Sequence, residues 1–140
     1  MTKIIYDTQT MQVMTLFETI TQAELKDCIF LDESVLFVVQ EAQIGKAIGK
    51  QGRNAHQLEK ALKRKVKIVE FSPDVVTFIK NLFYPLQTNN VTSEDGTVTV
   101  VPVDSRTRGQ MIGRNAAYLR WIEDIVKRYF QIKEIKIDKW

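Results

Sequence analysis

The octet Gly45-Lys46-Ala47-Ile48-Gly49-Lys50-Gln51-Gly52 returns 64 residues later as Gly109-Gln110-Met111-Ile112-Gly113-Arg114-Asn115-Ala116. Both copies read G-x-x-I-G-[KR]-[QN]-small. At the same offset Ala55, Leu58 and Leu62 meet Leu119, Ile122 and Val126, and their i, i+3, i+7 spacing draws one apolar stripe on a helix. A chain of 140 residues with this offset has room for two copies of one unit, too few for a solenoid. The expected division is 1–71 and 72–140. With 44% hydrophobic and 26% charged residues, each half can build a small folded core.

Both halves show the same order of elements. Met11, Met14, Phe17 and Ile20 predict a first helix with a core-facing side, and Asp7 or Thr8 is available as its cap. Cys28 to Leu31 and Val35 to Val39 are β-rich runs across Asp32-Glu33-Ser34, which predicts a hairpin. A short helix from Ile44 to Ile48, the glycine loop, a longer helix to about Lys65 and a strand at Val66–Val69 complete the unit. In the second half Ser72 and Pro73 predict a helix start, and Pro85 its end. Gln87–Thr92 pairs with Thr97–Val103 across Glu94-Asp95-Gly96, and two helices (106–112 and 115–130) lead to a strand at Ile135–Ile137. The predicted class is α+β, with an α-β-β-α-α-β unit repeated and the helices of each on one face of a three-stranded sheet. No Gly-, Ser- or Pro-rich linker separates the halves, which predicts a fixed relative orientation.

Charge repeats as well. Residues 1–43 carry two basic and seven acidic groups, and residues 44–67 carry eight basic and one acidic. Residues 68–105 then carry one basic and five acidic, and 106–140 nine basic and four acidic. A net charge of only +3 hides this alternation, which predicts a basic surface for a polyanion beside each loop. No apolar run is long enough to span a membrane, the first residues show no signal-peptide core, and the expected location is the cytoplasm. The single cysteine and single histidine leave no metal or disulfide framework, and no cofactor is expected.

The loop itself excludes two chemistries. A P-loop needs G-x-x-x-x-G-K-[ST], but three residues separate Gly45 from Gly49, and Gln51 stands where the magnesium-binding hydroxyl belongs. A dinucleotide loop needs G-x-G-x-x-G after a strand, and this one follows a helix. What remains is a Gly-x-x-Gly turn between helices, where the absent side chains let a sugar-phosphate backbone come close.

Ile48-Gly49-Lys50-Gln51-Gly52 resembles the I-G-x-x-G core of the KH domain, a module that binds RNA or single-stranded nucleic acid. About seven residues follow the last helix pair. The strands must therefore precede the loop, as in type II KH modules. Two such modules in tandem resemble the archaeal NusA-like transcription factors over essentially the whole chain. The polymerase-binding and S1 domains of bacterial relatives have no counterpart here. The resemblance implies a non-enzymatic factor of transcription termination or antitermination that grips single-stranded RNA, with RNA polymerase or its transcription complex as a partner. Carried over, it implies that Ile48 packs under the turn, Gly49 and Gly52 admit the backbone, and Lys50 meets phosphate. Lys46 and Gln51 flank that contact, and Arg53 and Asn54 open a helix whose amides favour an anion. The second loop, Gly113-Arg114-Asn115-Ala116, implies the same with an alanine in the last glycine's place. Its methyl group is expected to obstruct the backbone, and Ala116→Gly to cost up to about 1 kcal/mol as a poor helix former. A ribosome-associated or ribosome-assembly KH protein and a helix-turn-helix DNA reader are the alternatives.

The remaining chemistry-bearing residues have bland readings. His56 is expected exposed, with a base contact as the alternative. Cys28 reads as a buried strand residue. Glu123 and Asp124 are adjacent and so do not share a helix face for acid–base work. Tyr118 and Trp121, three apart, either stack on a base or pack into the core.

Overall fold

The computed structural model describes residues 4, 6–31 and 33–140, and it divides the chain into two compact units, Ile5–Ser72 and one containing Pro73–Trp140. The chain is α+β, with two three-stranded sheets.

The first unit runs α1 (Thr8–Thr21), β1 (Leu25–Leu31), β2 (Ser34–Val39), α2 (Ile44–Ile48), α3 (Arg53–Leu62) and β3 (Lys65–Glu70). Asp7 caps α1, its carboxylate accepting the Thr10 N–H at 2.7 Å. The hairpin pairs β1 and β2 antiparallel with Leu31 opposite Ser34, and the Asp32 of its expected turn lies outside the described residues. Strand β3 returns parallel to β2 with Val66 opposite Val35. A parallel return needs a crossover, and α2, the loop and α3 provide it. Val35, Phe37 and Val39 face Phe17, Ala47 and Leu58, one from each helix. Phe17 stacks on Phe37 with ring centroids 4.3 Å apart. Leu36 and Val38 point to the opposite face and are fully buried too, so this central strand is buried on both faces. The buried carboxylate of Asp27 accepts the Tyr6 hydroxyl at 2.6 Å and the Cys28 N–H at 2.8 Å.

The second unit repeats the order: α4 (Val75–Phe83), β4 (Thr88–Glu94), β5 (Thr97–Pro102), α5 (Ser105–Ile112), α6 (Ala117–Lys127) and β6 (Glu134–Ile137). Its sheet has the order β4-β5-β6, antiparallel then parallel. Asp95 and Gly96 both hold positive φ, 52° and 84°, as a two-residue hairpin turn requires. Here Val98 and Val100 are buried while Thr97 and Thr99, which alternate with them, are half-buried, the alternation of a one-sided strand.

Four expectations need correcting. The cap of α4 is Asp74, not Ser72, because a carboxylate three residues before Thr77 reaches its N–H at 3.2 Å. Helix α3 stops at Leu62, short of Lys65, because Lys63 turns left-handed (φ 55°) and Lys65 joins β3. Helix α6 likewise ends at Lys127 rather than Phe130. Met11 is 49% exposed, since the core side of α1 runs through Val13, Phe17 and Ile20 instead.

Candidate nucleic-acid interface

Each loop is a pair of helix ends joined by residues in left-handed backbone. Gly49 closes α2 with φ 79° and ψ 171°, and its N–H donates to Gly45 O at 3.0 Å. After Lys50 come Gln51 (φ 57°) and Gly52 (φ 73°), and α3 begins. The second loop repeats this residue for residue: Gly113 at φ 76° and ψ 178°, Asn115 at φ 55°, Ala116 at φ 60°. Ala116 N–H donates to Gly113 O at 3.3 Å, as Gly52 N–H does to Gly49 O at 3.2 Å. Left-handed backbone costs a residue with a Cβ about 1–2 kcal/mol, so Ala116 holds the loop's shape against its own preference.

The first glycine of each loop is required twice over. A Cβ on Gly49 would lie 2.9 Å from the side-chain Cγ of Asn54, and one on Gly113 only 2.7 Å from the Cβ of Tyr118. Position 52 is roomier, since a Cβ there meets nothing nearer than the His56 ring at 3.5 Å. That room is what lets alanine stand at 116.

Two roles carried over from the sequence change. Ile48 does not pack under the turn; it is 37% exposed, and Ala47, with Met111 as its counterpart, is the fully buried residue. Neighbours on a helix differ by about 100°, so a five-residue helix can turn only one of the pair inward. Asn54 is occupied by the fold: its amide donates to Lys46 O at 3.1 Å and ties the end of α2 to the start of α3. Lys46, Lys50, Gln51 and Arg53 are exposed beside Gly52, as are Arg114 and Asn115 beside Ala116. No hydrogen bond or ion pair engages the side chains of Lys46, Lys50, Arg53 or Arg114 among the described residues.

Two other cations of the basic blocks are less available. Arg108 donates to the carbonyls of Asp138 and Ile137 at 3.2 and 3.4 Å, and the Arg64 guanidinium lies 5.2 Å from the Phe30 ring. Tyr118 packs with Phe83 and Trp121 at 6.3 and 5.9 Å, and burial raises its phenol pKa. The pair therefore belongs to a packed aromatic cluster.

One pair of residues had no role in the sequence reading. Glu59 accepts the Val66 N–H at 3.3 Å, and Glu123, 64 residues on, accepts the Ile135 N–H at 2.7 Å. Each carboxylate fastens the helix after the loop to its closing strand. The signal was present as an identical residue at the repeat offset. Its meaning needed the turn between helix and strand.

A family model of the KH domain matches residues 14–82. The "Probable transcription termination protein NusA" of Methanocaldococcus jannaschii is 32% identical over 140 residues, covering 98% of this chain and 76% of the relative. The chain belongs to the archaeal NusA family. The protein of the same name from Thermoplasma acidophilum is 29% identical, covering 98% of this chain and 97% of its own length. That from Halobacterium salinarum is 33% identical over 90% of this chain and 92% of its own. The crystal structure of APE1850 shares the fold, with a TM-score of 0.73 at 24% identity, over 95% of this chain and all of that one.

Proposed function

We propose that this chain is a non-enzymatic RNA-binding transcription termination or antitermination factor, built as two tandem type II KH modules, 1–71 and 72–140. The observation that carries the reading is the pair of matching left-handed loops, each holding an unengaged cation, Lys50 or Arg114, at a turn open to solvent. Such a turn suits a sugar-phosphate backbone: it offers glycine-lined approach, the first amides of a helix and one positive charge. Exposed Ile48 adds an apolar surface beside the turn for a base. In this reading Lys46, Ile48, Gly49, Lys50, Gln51, Gly52 and Arg53 form the first grip, with Asn54 holding its shape. Gly113, Arg114, Asn115 and Ala116 form the second. The names of the archaeal relatives support the setting in transcription, and RNA polymerase or its transcription complex is the proposed partner, in the cytoplasm. No helix among the described residues is long and apolar enough to cross a membrane.

A gel shift with single-stranded RNA in competition with duplex DNA tests the grip. Binding should favour the RNA, with a log–log salt slope of about −3.5 if roughly five phosphates are neutralised. A preference for the duplex overturns the reading. Co-purification with RNA polymerase and nascent transcripts, rather than with ribosomal subunits, tests the setting.

A further inference from the structure

Helix α3 turns Leu58 and Leu62 toward the core and leaves its opposite side to solvent. At 100° per residue, Arg53 and Lys60, seven apart, fall in one row on that outer side, and Lys63 and Arg64 follow directly after the helix ends at Leu62. Lys60 and Lys63 are exposed, and no hydrogen bond or ion pair among the described residues engages the side chains of Arg53, Lys60 or Lys63. The row starts at the loop, because Arg53 directly follows Gly52. No acid interrupts it. Glu59, the one carboxylate of α3, reaches toward the closing strand to take the Val66 N–H.

Like charges held close together repel, and Lys60, Lys63, Arg64 and Lys65 crowd the end of this helix and the residues just beyond it. An external anion relieves that repulsion. The row ends at a shallow cleft of about 700 Å³ lined by Lys63, Arg64 and Lys65 together with Leu62, Glu33 and Glu59. Arg64 is held there by the Phe30 ring. The second unit lacks such a row: the counterpart of Lys60 at the repeat offset is Asp124, and that of Arg53 is Ala117.

We propose that the outer row of α3 is a phosphate track that leads a single-stranded RNA away from the first loop toward this cleft. The inference rests on the reading of the loop as an RNA grip and assigns the path of the strand beyond it. From Arg53 to Leu62 the helix rise alone covers about 13.5 Å, farther than a nucleotide held at the turn can reach from its own phosphate. Only an RNA longer than the loop's own site should feel the track.

The test is the double variant K60E/K63E, with affinities for randomised RNA tetramers and randomised RNA dodecamers at 0.15 M salt. There the Debye length is about 8 Å, so charges at the end of α3 act weakly on RNA held at the loop. The expected result is a loss of about tenfold or more for dodecamers and less than about twofold for tetramers. The dodecamer salt slope should become shallower by about 1.4, for two phosphates released. Melting temperature should change little, because both side chains are exposed and make no hydrogen bond or ion pair among the described residues. Equal losses on both RNAs, or none on either, overturn the track. Wild-type protein that holds neither pool overturns the loop as an RNA grip, and the track with it.

Discussion

Gly52 and Ala116 occupy the same place in their loops, at φ 73° and 60°, and one methyl group separates them. Around them the backbones match while the side chains do not. Asn54, which ties α2 to α3, is replaced at the repeat offset by Tyr118, which packs against Phe83. His56, exposed beside Gly52, is replaced by Arg120. The shape of this turn therefore rests on its first glycine, on the helix ends and on the short amide bonds across it. Its fourth position is decided by what must approach from outside. The two loops are one device carrying two surfaces.

The largest effect should come from the shared glycine, and it should be unequal. Gly113→Ala forces a Cβ against the stiff Cβ of Tyr118, and should cost about 3 kcal/mol in urea denaturation. Gly49→Ala should cost nearer about 2 kcal/mol, because the amide of Asn54 can swing aside. Equal losses would mean that the positive φ alone makes both glycines necessary.

Charge reversal addresses the surfaces rather than the shape. Lys50→Asp with Gln51→Asp should weaken single-stranded RNA binding about tenfold or more, by setting two carboxylates against a phosphate. Arg114→Asp with Asn115→Asp should cost less, since Ala116 narrows that approach. Asp tolerates the left-handed positions 51 and 115, so circular dichroism should not change. An equal loss would show that the second loop grips RNA in its own geometry.

Ala116→Gly isolates the methyl. The sequence alone predicts destabilisation, on the view that 116 belongs to a helix. Helix α6 begins at Ala117, and Ala116 sits before it in left-handed backbone. Glycine should therefore raise stability by about 1 kcal/mol and tighten RNA binding. Gly52→Ala should do the reverse. A melting curve that moves the other way would place the strain elsewhere.

The smallest effect concerns the helix that enters each loop. Asp104 caps α5 through the Thr107 N–H at 2.7 Å, whereas Gln43 gives α2 no side-chain cap. That hydrogen bond, with a second to the Thr107 side chain, holds the Asp104 carboxyl below its usual pKa, as similar bonds do for Asp7 and Asp74. A lowered folded pKa gives stability that is present above the ordinary carboxylate range and lost as pH falls through the folded value. Asp104→Ala should lower the denaturation midpoint at pH 7 and make little difference near pH 2. A deficit that persists in acid would assign it to something other than the ionised cap.

The repeat offset, the element order and the glycine loop were legible because each rests on local chemistry: periodic apolar residues, β-branched runs, and glycines at a turn. Element ends were less legible. Asp74 outcompetes Ser72 as a cap by a spacing of three to Thr77, a difference that two capping residues on either side of Pro73 conceal. The charge blocks pointed to an anion. They could not separate Lys50, whose side chain nothing among the described residues engages, from Arg108, which holds the carbonyls of Ile137 and Asp138.

A run such as Val35-Leu36-Phe37-Val38-Val39 already says that both faces of its strand are buried, and Thr97-Val98-Thr99-Val100 that one is. That much the amino-acid sequence determined about this protein, together with its duplication and its Gly-x-x-Gly turns, because each depends on neighbours in the chain. Which residue of Ala47 and Ile48 turns inward was decided by the tertiary structure. So were the capture of the Val66 and Ile135 amides by Glu59 and Glu123, and the hold of a left-handed alanine at 116. Those outcomes depend on the angle at which a helix meets its sheet. That angle is set by core packing between segments far apart in sequence, which no local pattern records.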